Sequence, residues 1–255
     1  MRSSSQRANE TGVVRARVTR PGWTEANDGG ETYTVGSEIE QVQKVIDRAG
    51  GGSVKARSDG TTHTLFPVAI HPHEGEALSH WVTKERAASS IEIGLGYGIS
   101  ALFIFRGLLS NHSPRIRHLA IDPNQILSFA AIGLQLIDDA GLRDRLDFYP
   151  ERSEIALPRL LAETRQFDFA FVDGNHRFDG VFLDLMFLGR LVHGGSVIFL
   201  DDYQLPSVKK AAAFCSSNLG WRVEEEGVAD AKHHWVVLRT TPQPRERNFD
   251  YFVDF

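Results

Sequence analysis

From residue 90 onward the chain alternates short apolar runs with longer amphipathic stretches. The runs SIEIGLG (90–96), RHLAIDP (117–123), LDFYPE (146–151), FDFAFVDG (167–174) and GSVIFLDD (195–202) have the length and the β-branched or aromatic content of buried strands. Each is followed by ten or more residues with apolar positions at helical spacing: 98–109, 124–141, 153–164, 177–192 and 207–220. On the fourth of these, Phe182, Leu185 and Leu188 mark a core-facing stripe. This alternation predicts right-handed βαβ units and a doubly wound, Rossmann-like α/β fold with a parallel sheet covered on both faces. Two closing strand-like pieces, WRVEEEG (221–227) and HHWVVLRT (233–240), lie close enough in sequence to form an antiparallel hairpin.

Ahead of the alternation, SEIEQVQKVIDRAG predicts a helix opened by Ser37, striped by Ile39, Val42 and Ile46, and closed at Gly50. A second helix is expected over 74–88, with Ala77, Leu78, Trp81 and Val82 turned inward. Four segments result: a loosely packed arm (1–30), an N-terminal helical extension or cap (31–73), a main domain (74–240) and an aromatic tail (241–255). The arm is poor in large apolar residues and cannot offset its own ordering entropy. The tail ends in four aromatics, expected to dock on the body or on a second subunit of a homodimer.

Composition narrows the classes. The net charge of −5 and a pI near 6.1 speak against a nucleic-acid binder held by phosphate neutralisation. No apolar stretch approaches the ~20 residues of a membrane helix, and residues 1–12 lack the apolar segment of a signal peptide. The single Cys215 cannot form an internal disulfide, which is consistent with a reducing, cytoplasmic setting. The expected partner is a small molecule rather than a membrane or a nucleic acid.

Candidate chemistry gathers at the strand ends. SIEIGLGYGIS places Gly94, Gly96 and Gly98 in the first strand-to-helix turn, where a ligand can lie against bare backbone at a helix N-terminus. A dinucleotide fingerprint would need a third glycine where Ile99 stands. The next strand ends on Asp122, an acid placed to accept hydrogen bonds from a ribose diol. These residues, with the spacing to FDFAFVDGNH, resemble the class I S-adenosylmethionine-dependent methyltransferases. The stretch 167–211 is similar to the small-molecule branch that contains macrocin O-methyltransferase type enzymes. The resemblance implies a seven-stranded, mostly parallel sheet with an antiparallel last strand and S-adenosylmethionine as cofactor. It also implies a cofactor site built from Glu92, Gly94, Gly96, Tyr97, Gly98, Asp122, Ser153 and Asp173. Arg152 stands where an acid near the adenine is common, with Glu151 or Ser153 as substitutes.

Asp173 ends one strand and Asp201 and Asp202 end the next. If those strands are neighbours, about 4.8 Å apart, the three carboxylates repel unless a hard divalent cation such as Mg²⁺ joins them. The alternative is that these acids cap the following helices. His176 is the candidate general base for an acceptor hydroxyl, and this chain has Asn175 where some metal-dependent members of the family it resembles have a second Asp. The alternative for His176 is a first-turn residue bonding a backbone carbonyl. The expected function is methyl transfer to a hydroxyl of a small molecule such as a sugar or natural-product intermediate, assisted by metal. The competing readings are a metal-independent N-methyltransferase, an NAD-dependent oxidoreductase and a non-catalytic cofactor binder. The cluster His71, His73, Glu74 and Glu76 is read as the start of the second helix, and His233, His234 and Trp235 as packing in the hairpin. Tyr203 is expected to cover the site or to pack.

Overall fold

The chain enters through helix Val35–Ala49 (α1), a short antiparallel pair Ser53–Lys55 (β1) and Thr62–Thr64 (β2), and helix Pro72–Lys84 (α2). The computed structural model describes residues 35–243 and 247–255, so the expected arm over 1–30 lies outside the described residues. Helix α1 begins at Val35, which puts Ser37 inside its first turn rather than at the cap. Its Val42 and Val45 are buried, while Ile39 and Ile46 pack at the edge of the same core. The β1–β2 pair was not foreseen: three-residue strands in polar sequence leave no periodicity to read.

The alternating region follows as Ser89–Ile93 (β3), Ile99–Ser110 (α3), Arg117–Ile121 (β4), Ile132–Asp139 (α4), Leu146–Tyr149 (β5), Ser153–Ala162 (α5), Phe167–Val172 (β6), Phe178–Leu191 (α6), Val192–Leu200 (β7) and Pro206–Leu219 (α7). The hairpin Arg222–Val228 (β8) and His234–Arg239 (β9) closes the sheet, whose order is β5-β4-β3-β6-β7-β9-β8. Every neighbouring pair from β5 to β7 is parallel, and β9 runs antiparallel to both β7 and β8. This is the expected seven-stranded, mostly parallel sheet.

Side-chain alternation along the strands divides the core in two. Phe169 and Phe171 of β6 face one way, into a core shared with α1, α2, α3 and α4; Ala170 and Val172 face the other, toward α5, α6 and α7. Helix α3 is buried almost all round, because α1 and α2 cover the side turned away from the sheet. Trp81 and Trp235 both donate their indole N–H to Glu225, at 3.0 Å, so two large buried side chains keep their polar atoms satisfied.

The helix expected over 124–141 forms only from Ile132. Asp122 captures the Asn124 N–H and the Gln125 amide, and the chain then turns through Ala130 and Ala131, both at positive φ. That local capture competes with helix initiation and wins.

Candidate active site

Parallel register lines up the ends of five strands: Tyr149, Ile121, Ile93, Val172 and Leu200 lie side by side across the sheet. One residue further, backbone hydrogen bonds still hold the row together. Asp122 donates to Tyr149 O, Gly94 to Ile121 O, Asp173 to Ile93 O and Asp201 to Val172 O, all at 2.9–3.0 Å. The sheet therefore fixes Asp122, Gly94, Asp173 and Asp201 as successive members of one edge. The chain order reverses between β3 and β6, the crevice where ligands of open α/β sheets bind. A cavity of about 1130 Å³ opens there, enough for a nucleoside-sized cofactor and a small acceptor together.

The glycine turn forms its floor. Gly94 has φ +93, and a Cβ on it would stand 1.9 Å from the Asp173 carbonyl oxygen, so the turn and the β6 end touch through bare backbone. Gly96 has φ +50 and nothing within 4 Å of a would-be Cβ, and it lines the cavity. Gly98 caps α3 at φ +77 against the backbone of Gly133. Asp122 accepts from Gly96 N (2.9 Å) and Gln125 Nε2 (2.9 Å) on Oδ2, and from Asn124 N (2.7 Å) on Oδ1. Of roughly four acceptor sites on a carboxylate, three are in use, leaving one for a ribose hydroxyl where the sequence reading foresees two. Ser153, with Arg152 and Glu154, lines the far wall. Behind Ser153, Asp184 of α6 is fully buried, and burial outweighs its contact with the Ser153 hydroxyl and pushes its carboxyl up to about 7.

Three of the expected cofactor residues, Gly98, Glu92 and Tyr97, stand outside the cavity lining. Glu92 is fully buried, accepts from Ser100 Oγ at 2.9 Å and lies 3.1 Å from His118 Nε2, tying β3 to α3 and β4. Strand alternation turns it into the core rather than toward the edge. Tyr97 is buried edge-on against Phe129 with ring centroids 5.1 Å apart.

At the other end, β6 and β7 are neighbours, as the argument for converging acids requires. None of the acids caps a helix: the N-cap positions of α6 and α7 are Arg177 and Leu205. His176 precedes the cap, and its imidazole bonds carboxylates rather than a backbone carbonyl. Its Nε2 lies 3.2 Å from Asp173 Oδ1 and 3.0 Å from Asp202 Oδ2. Those two contacts push its pKa up to about 10, so at neutral pH it is an imidazolium, not the free base that the sequence reading foresees. Burial raises Asp173 to about 6. Burial also works against ionised Asp202, but the contacts with His176 and Gln204 more than offset it and its pKa is lowered. Asn175 is a turn residue whose Oδ1 accepts from Arg177 N.

The expected ligand trio is also rearranged. Among the described residues, the atoms that cluster closely enough for one ion belong to Asp173, His176 and Asp202, all within 4.8 Å of one another. Asp201 bends back to accept its neighbour's N–H at 2.5 Å, and its side chain turns to Glu74. Asp202 sits at φ +55, a left-handed conformation uncommon outside glycine, which swings its carboxylate to His176. Burial and the nearby Asp173 and Asp202 charges push Asp201 up to about 7. Burial first, and Asp201 second, push Glu74 to about 11.

The sequence reading undervalued three further pieces. Glu74, read there as a first-turn acid, is buried beside Asp201, and the segment Pro67–Ala69 and the hairpin loop residues Lys232 and His233 line the cavity. Only the clustering of polar residues in HPHEGE signalled the first. Tyr203 packs outside the cavity, its hydroxyl 3.4 Å from Glu226.

The residues fit the implied groups. Gly96 leaves an open cradle beside a buried acid, the arrangement a nucleoside with a charged tail needs. Positive charge is already drawn between Asp173 and Asp202, where the imidazolium now sits. Comparison with known proteins agrees. Residues 91–203 match the family described as a methyltransferase domain. Tricin synthase 2 of Oryza sativa subsp. japonica is 29% identical over 143 residues, 55% of this chain and 46% of that protein. The chain thus spans about half the length of the curated relative it matches. An O-methyltransferase from Bacillus cereus, solved with S-adenosylhomocysteine, superposes with a TM-score of 0.58 at 20% identity, covering 80% of this chain and 91% of its own. The O-methyltransferase TomG from Streptomyces achromogenes, solved with S-adenosylmethionine, gives 0.60 at 18% identity over 80% and 89%. At such identities the likeness speaks for the fold. Residues 91–203 are thus similar to a methyltransferase domain, and they sit in a fold shared with solved O-methyltransferases.

Proposed function

We propose that the protein transfers the methyl group of S-adenosylmethionine to a hydroxyl oxygen of a small molecule. The carrying observation is the single strand-end row that sets the Gly94–Gly96 cradle directly beside Asp173 and His176. The acceptor oxygen attacks the methyl carbon as the carbon–sulfur bond breaks, and its proton leaves to Nε2 of His176. Asp122 and the turn it ties hold the cofactor's ribose, Ser153 flanks its base, and Pro67–Ala69 with Lys232 and His233 form the acceptor wall. Two O-methyltransferases of the same fold support oxygen as the accepting atom, and TomG, described as involved in tomaymycin synthesis, supports a natural-product acceptor.

Asp173, Asp201 and Asp202 would hold one divalent cation, with Mg²⁺ the first candidate. Such an ion supplies positive charge that lowers the acceptor hydroxyl's pKa and takes over the carboxylates now paired with His176. In its absence His176 is protonated and cannot accept a proton, which makes dependence on a cation part of the proposal. The test is calorimetry with S-adenosylmethionine and with NAD, followed by turnover on hydroxylated acceptors with and without EDTA. Binding of the first ligand alone and turnover abolished by EDTA are expected. No heat with S-adenosylmethionine overturns the assignment; undiminished turnover in EDTA removes the cation.

A further inference from the structure

Glu74 is the acid without an assigned task. It lies in the first turn of α2, fully shielded from solvent, and its carboxyl has no hydrogen-bond partner among the described residues other than another acid, Asp201. A buried polar group left in that state is costly and calls for a partner. The other acid of the same turn shows the contrast: Glu76 is exposed and holds Arg106 through both oxygens, at 3.0 and 2.6 Å. Glu74 faces inward instead, and its charged surroundings are Asp201, then Asp173 and Asp202. Its placement is built in. Gly75 brings α2 so close to α3 that a Cβ there would stand 2.3 Å from the Phe103 ring, and this approach seats Glu74 behind the β7 end.

Four carboxyls from two strand ends and a helix thus converge where one imidazolium is the compensating cation. We propose that Glu74 is a fourth acidic member of the cation site, standing behind Asp201 to help hold a single hard divalent ion. The inference rests on the cation reading above. It assigns to the site a residue outside the strand ends, one that positions Asp201 without touching the acceptor. Carboxyl oxygens in excess of those needed for charge balance suit an oxygen-seeking ion such as Mg²⁺ or Mn²⁺.

The experiment titrates Mn²⁺ into the full metal-free chain, read by calorimetry and by loss of the free-ion electron paramagnetic resonance signal. The variants are Glu74→Gln, Glu74→Met, Glu76→Gln and Asp173→Asn. The wild type should bind one ion. Both Glu74 variants should bind it roughly 10- to 100-fold more weakly, the range for losing a supporting group around a metal. Glu76→Gln should match the wild type, and Asp173→Asn should bind least. Metal-free melting of the Glu74 variants should stay level or rise, since both remove a buried acid whose ionisation is opposed by burial and by Asp201. Unchanged Mn²⁺ affinity in both variants, with binding lost in Asp173→Asn, assigns Glu74 to the fold alone and overturns the inference while the cation reading stands. No Mn²⁺ binding in the wild type overturns both.

Discussion

Asp122 carries two tasks with one carboxylate. It pins the Gly96 N–H and the Asn124 N–H, shaping the turn, and it keeps one acceptor position that the proposed function gives to the ribose. Asp122→Ala should therefore weaken S-adenosylmethionine and S-adenosylhomocysteine alike, by at least the ~10- to 150-fold of one charge-assisted hydrogen bond, as measured by calorimetry. Asp184 allows a sharper test. Its carboxyl rises from an ordinary 3.8 to about 7 because it is buried, so the folded chain holds a proton that the unfolded chain has released. Stability from this group is present at acid pH and fades as pH rises from about 4 to 7. Asp184→Asn, which mimics the protonated acid, should raise stability at pH 8 by about 1–3 kcal/mol and leave it unchanged near pH 4, as read by urea titration at both pH values. At this scale residue types were legible and pairings were not. His176 and Asp202 could be named from the sequence, but their ion pair depends on the positive φ of Asp202, which no local signal announces.

Elements were legible where periodicity ran long. The five parallel strands stand where the apolar runs place them, as do the helices after β3, β5, β6 and β7, because parallel strands packed between helix layers read as continuous apolar segments. The exceptions have local causes. Residues 124–131 look helical, and Ile126 and Leu127 suggest a buried stripe, yet both are exposed because Asp122 and Gln125 hold the chain in turns. Helix α2 depends on a single glycine: Gly75→Val forces it away from Phe103. Overpacking of this kind costs about 1–3 kcal/mol, so the melting temperature should drop by several degrees. Mn²⁺ affinity should fall with it, since the same approach seats Glu74.

For the molecule as a whole, the tail was expected to dock on the body or on a second subunit, and part of it docks on the body. Asn218 pairs with the Val253 backbone through two 2.8 Å hydrogen bonds, Phe255 meets Phe214 edge-on at 5.1 Å, and Lys210 reaches the Phe255 carbonyl. Phe214 in turn abuts Phe182, which stacks on Phe178 at the start of α6. A chain ending before residue 247 should melt several degrees lower, because it uncovers this aromatic row, while its S-adenosylmethionine affinity should stay within about twofold. Among the described residues no helix is long and apolar enough to cross a membrane.

The contact between Gly94 and the Asp173 carbonyl has a consequence for divergence. In the proposed function, donor cradle and acid–base machinery are welded through main chain at adjacent strand ends, so the distance over which the methyl group travels is inherited from sheet geometry and needs no hinge to set it. The acceptor wall of the proposed function comes from Pro67–Ala69 and the hairpin loop at Lys232–His233, segments that belong to neither strand end. Lineages can therefore exchange one acceptor for another by rewriting those loops, while the reaction coordinate itself stays out of reach of such drift.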